Sequence, residues 1–296
     1  MKKKNSLLRL VSKIYNTPHF ISQDSFEVIL SYLENRNLGL DSIMPVDNDN
    51  EQDDNDENEI EPIELDDNSG IGIVCVHGVM TYKPVVGMCG EVDGTSYLGL
   101  VEQIESLAEA GVKTIIMDFA SGGGEASHCF SFAQEVRDIC DENDITLYAY
   151  IDERACSAAY VFACQCDEVI IHPSAEAGSI GCVVALTDVS KAMEQAGIKR
   201  IYITSGSEKV PFAADGSFKQ DFIDKLQVEV DALNTQFANH VSKYTGLSVD
   251  TIKGFEAATF NAEDCIKNGL ANYIMDRREF VNYVAAKQKP NMIGAM

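Results

Sequence analysis

The sequence predicts an α/β fold. Short β-rich apolar runs alternate with segments of helical spacing from Gly70 onward, and four glycine-bearing turns follow such runs. Hydrophobic residues make up 45% of the 296 positions, enough to bury a large core. In chain order, residues 71–76 and 114–119 are apolar and β-rich and predict strands. Residues 126–140 have helical spacing, and 145–151 predict a strand. The small side chains of 155–166 predict a helix, and Glu168–Ile171 a short strand. Residues 186–196 predict a helix, and 200–204 a strand running into Ser205-Gly206. A long amphipathic helix follows, with Phe222, Leu226, Val230, Leu233, Phe237 and Val241 along one stripe.

Two zones precede this pattern. Residues 1–45 predict a small helical appendage, because Asp24-Ser-Phe-Glu27 has the form of a capping box. Phe26, Ile29, Leu30 and Leu33 then recur at helical spacing. Residues 46–69 are acidic and rich in asparagine, too polar to bury themselves, and predict a disordered linker.

Charge and cysteine usage narrow the function. The net charge is −24, and 12 acidic residues lie between Asp47 and Asp67 with no Lys or Arg. Without that tract the net charge is −12, from 23 basic and 35 acidic residues. Such a chain repels phosphate backbones and anionic lipid, so neither nucleic acid nor a membrane surface is expected as a partner. No span is expected either: the longest uncharged run, 68–82, has 15 residues with three glycines, short of the roughly 20 apolar residues needed. The N-terminus opens like a signal peptide, but Arg9 and Lys13 interrupt its apolar part and no small-residue cleavage site follows. Nine cysteines, several inside apolar runs, suit reduced thiols in a cytoplasmic protein. Cys164-Gln-Cys166 near His172 matches no zinc spacing and reads as core. No metal or cofactor is expected.

The glycine turns are where chemistry could live. Gly122-Gly123-Gly124, placed between a strand and a helix, could aim amides at an anion or at the oxyanion of a tetrahedral intermediate. The segment lacks the spacing of a nucleotide-phosphate loop. Ser179, between Gly178 and Gly181, is the best candidate nucleophile, with the Ile180 amide as a further donor; an ordinary Gly-Ser turn fits the pattern equally. His240, in the long helix, is the only histidine after Ser179, and His77 and His128 read as structural. Lys209 follows Ser205-Gly206-Ser207 and precedes Val210-Pro211-Phe212, an apolar setting that would desolvate its amine and let it act as a base.

These residues carry a resemblance. Ala155-Cys-Ser-Ala-Ala-Tyr160, Gly178-Ser-Ile-Gly181 and Ser205-Gly-Ser-Glu-Lys209 resemble motifs of the signal peptide peptidase A-like serine peptidases. Asp118-Phe-Ala-Ser-Gly-Gly-Gly-Glu125 looks like that family's Asp-x-x-Ser-Pro-Gly-Gly segment. Ala257-Ala-Thr-Phe and Cys265-Ile-Lys-Asn-Gly-Leu-Ala resemble its closing motif, with Asn272 where aspartate is common and Gly122 in place of proline. The resemblance spans about residues 70–276, leaving 277–296 as a C-terminal helix and tail. It implies the Clp protease/crotonase-like repeated ββα spiral and a Ser/Lys dyad without catalytic histidine. Carried over by motif, Ser179 is the nucleophile and Lys209 the general base, with Gly123 or Gly124 and Ile180 forming the oxyanion hole. Ser157 and Tyr160 lie in a helix beneath the site as packing and orienting groups. In some members serine and lysine come from adjacent protomers, so a homo-oligomer is expected and Lys209 can act in cis or in trans. Ile14-Tyr-Asn-Thr-Pro18 and the helix after it resemble the opening of the phage head-maturation (capsid assembly) branch, whose substrates are scaffold and head proteins. A soluble bacterial signal-peptide-peptidase-like protease and a catalytically silent assembly protein are the alternatives.

Overall fold

The computed structural model describes residues 17–37, 70–86 and 92–288. The acidic tract 46–69 and the Ile14-to-Asn16 part of the opening motif lie outside them.

Strand β1 (His19–Ile21) and helix α1 (Gln23–Asn37) come first. The capping box expected at Asp24 gives way to an earlier start, because the Ser22 carbonyl already accepts from the Phe26 N–H at 3.0 Å. Next come β2 (Ile71–Thr81), the short β3 (Val85–Val86), β4 (Val92–Asp93) and β5 (Thr95–Ser96), then α2 (Tyr97–Glu109), which Ser96 caps by accepting from the Gly99 N–H. Strand β6 (Thr114–Glu125), α3 (Cys129–Glu142), β7 (Thr146–Cys156) and α4 (Ala158–Ala163) continue the alternation. They lead to β8 (Glu168–Ile171) and β9 (Glu176–Gly178). The rest is α5 (Ser190–Gln195), α6 (Gln220–Thr245), α7 (Val249–Lys253), β10 (Thr259–Asn261), α8 (Ala262–Lys267), β11 (Tyr273–Ile274) and α9 (Arg277–Gln288).

The main sheet has the order β10-β9-β7-β6-β2-β5, and β2, β6, β7 and β9 run parallel. Helices between parallel strands make this an α/β sheet of crossover units. Alternation along the strands divides two cores. Val74, Val76, Met117, Phe119, Leu147 and Ile151 face the helices α2–α4. Ile116, Tyr148, Tyr150 and Ile170 face the opposite way and are covered by Phe280 and Val284 of α9. Phe280 stacks on Tyr150 with centroids 4.6 Å apart, a burial worth roughly 2–3 kcal/mol.

Three sequence expectations are corrected. Strands β6 and β7 run past their predicted ends, because β2 pairs with β6 as far as Met80–Gly124 and β7 with β9 as far as Cys156–Gly178. The triple glycine is therefore strand rather than a turn into a helix, and the predicted 155–166 helix shrinks to α4. The strand predicted at 200–204 is absent: Ile201 and Ile203 stand 74% and 97% exposed, and no sheet edge among the described residues pairs with them. The stripe of α6 is fully buried only at Phe237 and Val241, near its C-terminal end, with Ala238 buried beside them.

A polar cluster lies beside α9. Asp118 is buried, 3.6 Å from the Arg277 guanidinium and 4.0 Å from the His77 ring, and its Oδ1 has no hydrogen-bond partner among the described residues. Burial first, and then the Asp152 carboxylate, push its pKa up to about 6 against the pull of Arg277. A carboxyl raised on folding keeps a proton that the unfolded chain releases, so this group's contribution to stability falls as pH rises from about 4 to 6. Asp118→Asn should flatten that part of the profile and raise stability at pH 7 by about 1–3 kcal/mol, as read from urea unfolding at pH 4.5 and 7.

Candidate active site

Ser179 follows β9 with φ at +52°, a left-handed conformation uncommon for serine. Its N–H donates to the Ala258 carbonyl at 2.9 Å. A Cβ at Gly178 would lie 2.7 Å from that same oxygen, and one at Gly181 would lie 2.7 Å from Ala257 Cβ. The turn is thus pressed onto the residues that lead into β10, and only glycines fit on either side. Ser179 is 7% exposed, and among the described residues its hydroxyl has no hydrogen-bond partner. The Ile180 N–H is not taken up by any described residue.

Ser157 supports this turn from below. It sits between β7 and α4 with φ 56° and ψ −116°, fully buried. Its N–H donates to Gly178 O at 2.9 Å, and its hydroxyl points at Gly181 O from 3.5 Å. So Ser157 touches both glycines that flank Ser179. Such a strained conformation persists only where packing overdetermines it. Tyr160, one turn along α4, points elsewhere: its hydroxyl donates to Leu270 O at 2.8 Å, and burial pushes its pKa well above the usual value. Removing that hydroxyl leaves a buried carbonyl unpaired. Tyr160→Phe should cost about 1–2 kcal/mol in urea unfolding and leave the chemistry at Ser179 unchanged.

The glycine-rich end of β6 adjoins the same place. A Cβ on Gly123 would lie 2.9 Å from Cys156 O and 3.0 Å from Ala158 N, the residues on either side of Ser157. The Gly123 N–H donates to Ser121 Oγ at 3.1 Å, and that hydroxyl donates to Gly78 O at 2.6 Å. Gly124 lies on the strand edge that faces β1.

Lys209 makes no hydrogen bond to Ser179 among the described residues. It lies on a single helical turn, Ser207–Lys209, with its side chain exposed, and its amine has no hydrogen bond or ion pair among the described residues. The sequence expectation of an apolar, desolvated lysine is therefore corrected: the missing 200–204 strand leaves the whole segment open. Its neighbours are engaged, Lys219 with the carbonyls of Ser207 and Val210 and Glu208 with Lys225.

The other side chains weighed from the sequence are structural. His240 Nε2 lies 2.9 Å from Val161 O, and His128 stacks on Tyr82 at 4.3 Å. Cys164 and Cys166 are buried, each with sulfur 3.5 Å from a carbonyl of the preceding turn. Asn272 donates its N–H to Val169 O and accepts from the Val169 N–H at 2.6 Å, so this side chain fastens β8. Sequence reading missed Arg154, which bridges Asp24 at 2.6 Å and Glu176 at 2.9 Å and so ties α1 to β9. The Ser22 hydroxyl and Arg154 hold Asp24 down at about 2.

A glycine-flanked serine at the ends of parallel strands thus lies next to a second glycine-rich strand end. The chain belongs to peptidase family S49, whose model matches residues 141–290, half of the sequence. It is 28% identical over 232 residues to the head-tail preconnector protein GP5 of Enterobacteria phage P21, covering 76% of this chain and 45% of that protein. It is also 28% identical over 219 residues to capsid assembly protease C of Escherichia phage lambda, covering 72% and 48%. The probable protease SohB of Haemophilus influenzae is 24% identical over 161 residues, covering 54% and 45%. The chain thus spans about half the length of the curated relatives it matches. A ClpP1 variant from Listeria monocytogenes has a TM-score of 0.43 at 12% identity, covering 69% of this chain and 91% of that one. No described helix is long and apolar enough to cross a membrane.

Proposed function

We propose that this chain is a serine endopeptidase that cuts extended polypeptide through an acyl-enzyme, of the kind the phage relatives' names describe. The observation that carries the reading is Ser179, held in a left-handed turn with glycines on both sides and a buried serine beneath. Its Oγ attacks the substrate carbonyl carbon and gives its proton to the Lys209 amine. The Gly124 and Ile180 N–H groups hold the resulting oxyanion, while Gly123, whose N–H serves Ser121, shapes the strand end. Collapse of the intermediate breaks the C–N bond, and the lysine proton passes to the leaving amine. Water then hydrolyses the ester, with Lys209 again as base.

An ammonium cannot accept the serine proton, so Lys209 has to leave water to act. The bare apolar side chains beside it, Ile198, Ile201 and Ile203, suit burial against a second copy of this chain. On this reading the dyad is completed by assembly, and the substrates are scaffold or other head proteins in the host cytoplasm or prohead. The test is complementation. Ser179→Ala and Lys209→Ala, each inactive alone, should regain measurable casein hydrolysis when mixed. No recovery in mixed oligomers places the lysine in cis; an active Lys209→Ala protein removes it from the mechanism.

A further inference from the structure

Strand β7 stays beside β6 only as far as the Ser121–Ala155 pair, then turns into α4 with β9 still alongside. Past that fork, Gly122–Glu125 on one branch and the residues after Ser179 on the other face each other across a gap. Strand β1 fills it. His19–Ile21 pairs antiparallel with Gly123–Glu125, and on its other side His19 and Val183 exchange N–H···O bonds of 2.9 and 3.0 Å. The Ser22 N–H donates to Gly122 O at 2.7 Å. Bonded pairs alternate in an antiparallel ladder, so Phe20 and Gly124 form the next bonded pair and the Phe20 carbonyl faces the Gly124 N–H. Two strand spacings of about 4.8 Å each admit a single strand.

We propose that His19–Ser22 occupies the place of the polypeptide substrate, so that this chain's own strand competes with the chains it cuts. The inference rests on the reading of Ser179 given above. A peptide carbonyl that is to reach Ser179 and the Gly124 and Ile180 amides has to enter this fork. Main-chain bonding along both exposed edges is how an extended peptide gains affinity there, and β1 already uses both. The occupant also shows which side chain the fork prefers. Phe20 is fully buried, with ring centroids 5.3 Å from Phe130 and 4.9 Å from Phe237, so a competing strand needs a large apolar residue opposite Gly124. The strand is tethered by the Asp24–Arg154 pair and by buried Phe26, which keeps its local concentration high, of order mM for a short tether.

Amide hydrogen exchange on the full chain carrying Ser179→Ala, with and without excess unfolded casein, tests this without catalysis. The amides of residues 19–22 should exchange at least tenfold faster with casein bound, while those of β7 keep their protection. Unchanged protection at 19–22, with fluorescence anisotropy showing labelled casein bound, overturns the proposal and leaves the peptidase reading standing. In the chain with Ser179 intact, His19→Pro removes the N–H that bonds Val183 and should raise the casein cleavage rate at least threefold below saturation. An unchanged or lower rate with an unchanged circular dichroism spectrum also overturns it. Faster exchange at 19–22 in a protein that never hydrolyses casein keeps the strand competition and removes the peptidase reading.

Discussion

Replacing Ser179 by alanine should reduce polypeptide hydrolysis by about 10³-fold or more, with stability left within about 1 kcal/mol of the parent. The two halves of this expectation have different causes. The hydroxyl makes no hydrogen bond among the described residues, and alanine meets much the same backbone strain at φ +52°. The fold therefore has little stake in the oxygen. If Ser179 is the nucleophile, however, no acyl-enzyme can form without it, and only substrate positioning by the surrounding amides remains. Initial rates on casein, together with urea unfolding followed by circular dichroism, read both halves. Turnover retained by a purified, folded Ser179→Ala protein would end the proposed mechanism.

The second large effect is on folding. A Cβ at Gly124 would lie 1.8 Å from Met80 O and 2.6 Å from its carbonyl carbon. Both atoms are backbone of the neighbouring central strand, so no rotamer change relieves the clash. Gly124→Ala has to push β2 and β6 apart at the end of their pairing, beside β1, which should cost more than about 4 kcal/mol and leave little folded protein at 37 °C. Gly111→Ala provides the contrast. Its added Cβ meets nothing within 4 Å, and the cost is the φ of +80° alone, about 1 kcal/mol. Thermal melts of the pair separate close approach from backbone conformation; similar melts would contradict the strand spacing described here.

Much of the architecture was legible because local pattern and burial agree in it. The apolar, β-rich run 114–119 does lie in β6, and the helical spacing after Ala126 gave α3. Where neighbours decide, the pattern misled. Glycines signal a turn to a sequence reader, yet Gly122–Gly124 are strand because Val79 and Met80 lie alongside them. Ile201 and Ile203 have strand propensity but no edge to pair with among the described residues. Small residues of 155–166 fit helix or strand, and pairing with β9 assigned the first two to β7.

The same division runs through the site. Residue types in short local motifs singled out Ser179 with its flanking glycines, the glycine-rich segment and Lys209, since each motif can be read one segment at a time. Contacts between distant segments are not written in any one of them. Only the folded chain set Ser157 under both glycines of the nucleophile turn, gave the Gly123 N–H to Ser121, left Lys209 in the open and laid β1 across the fork between β6 and β9. Each of these depends on which strand edge is exposed once the sheet has formed, a property of the packed sheet and not of the residues taken one by one.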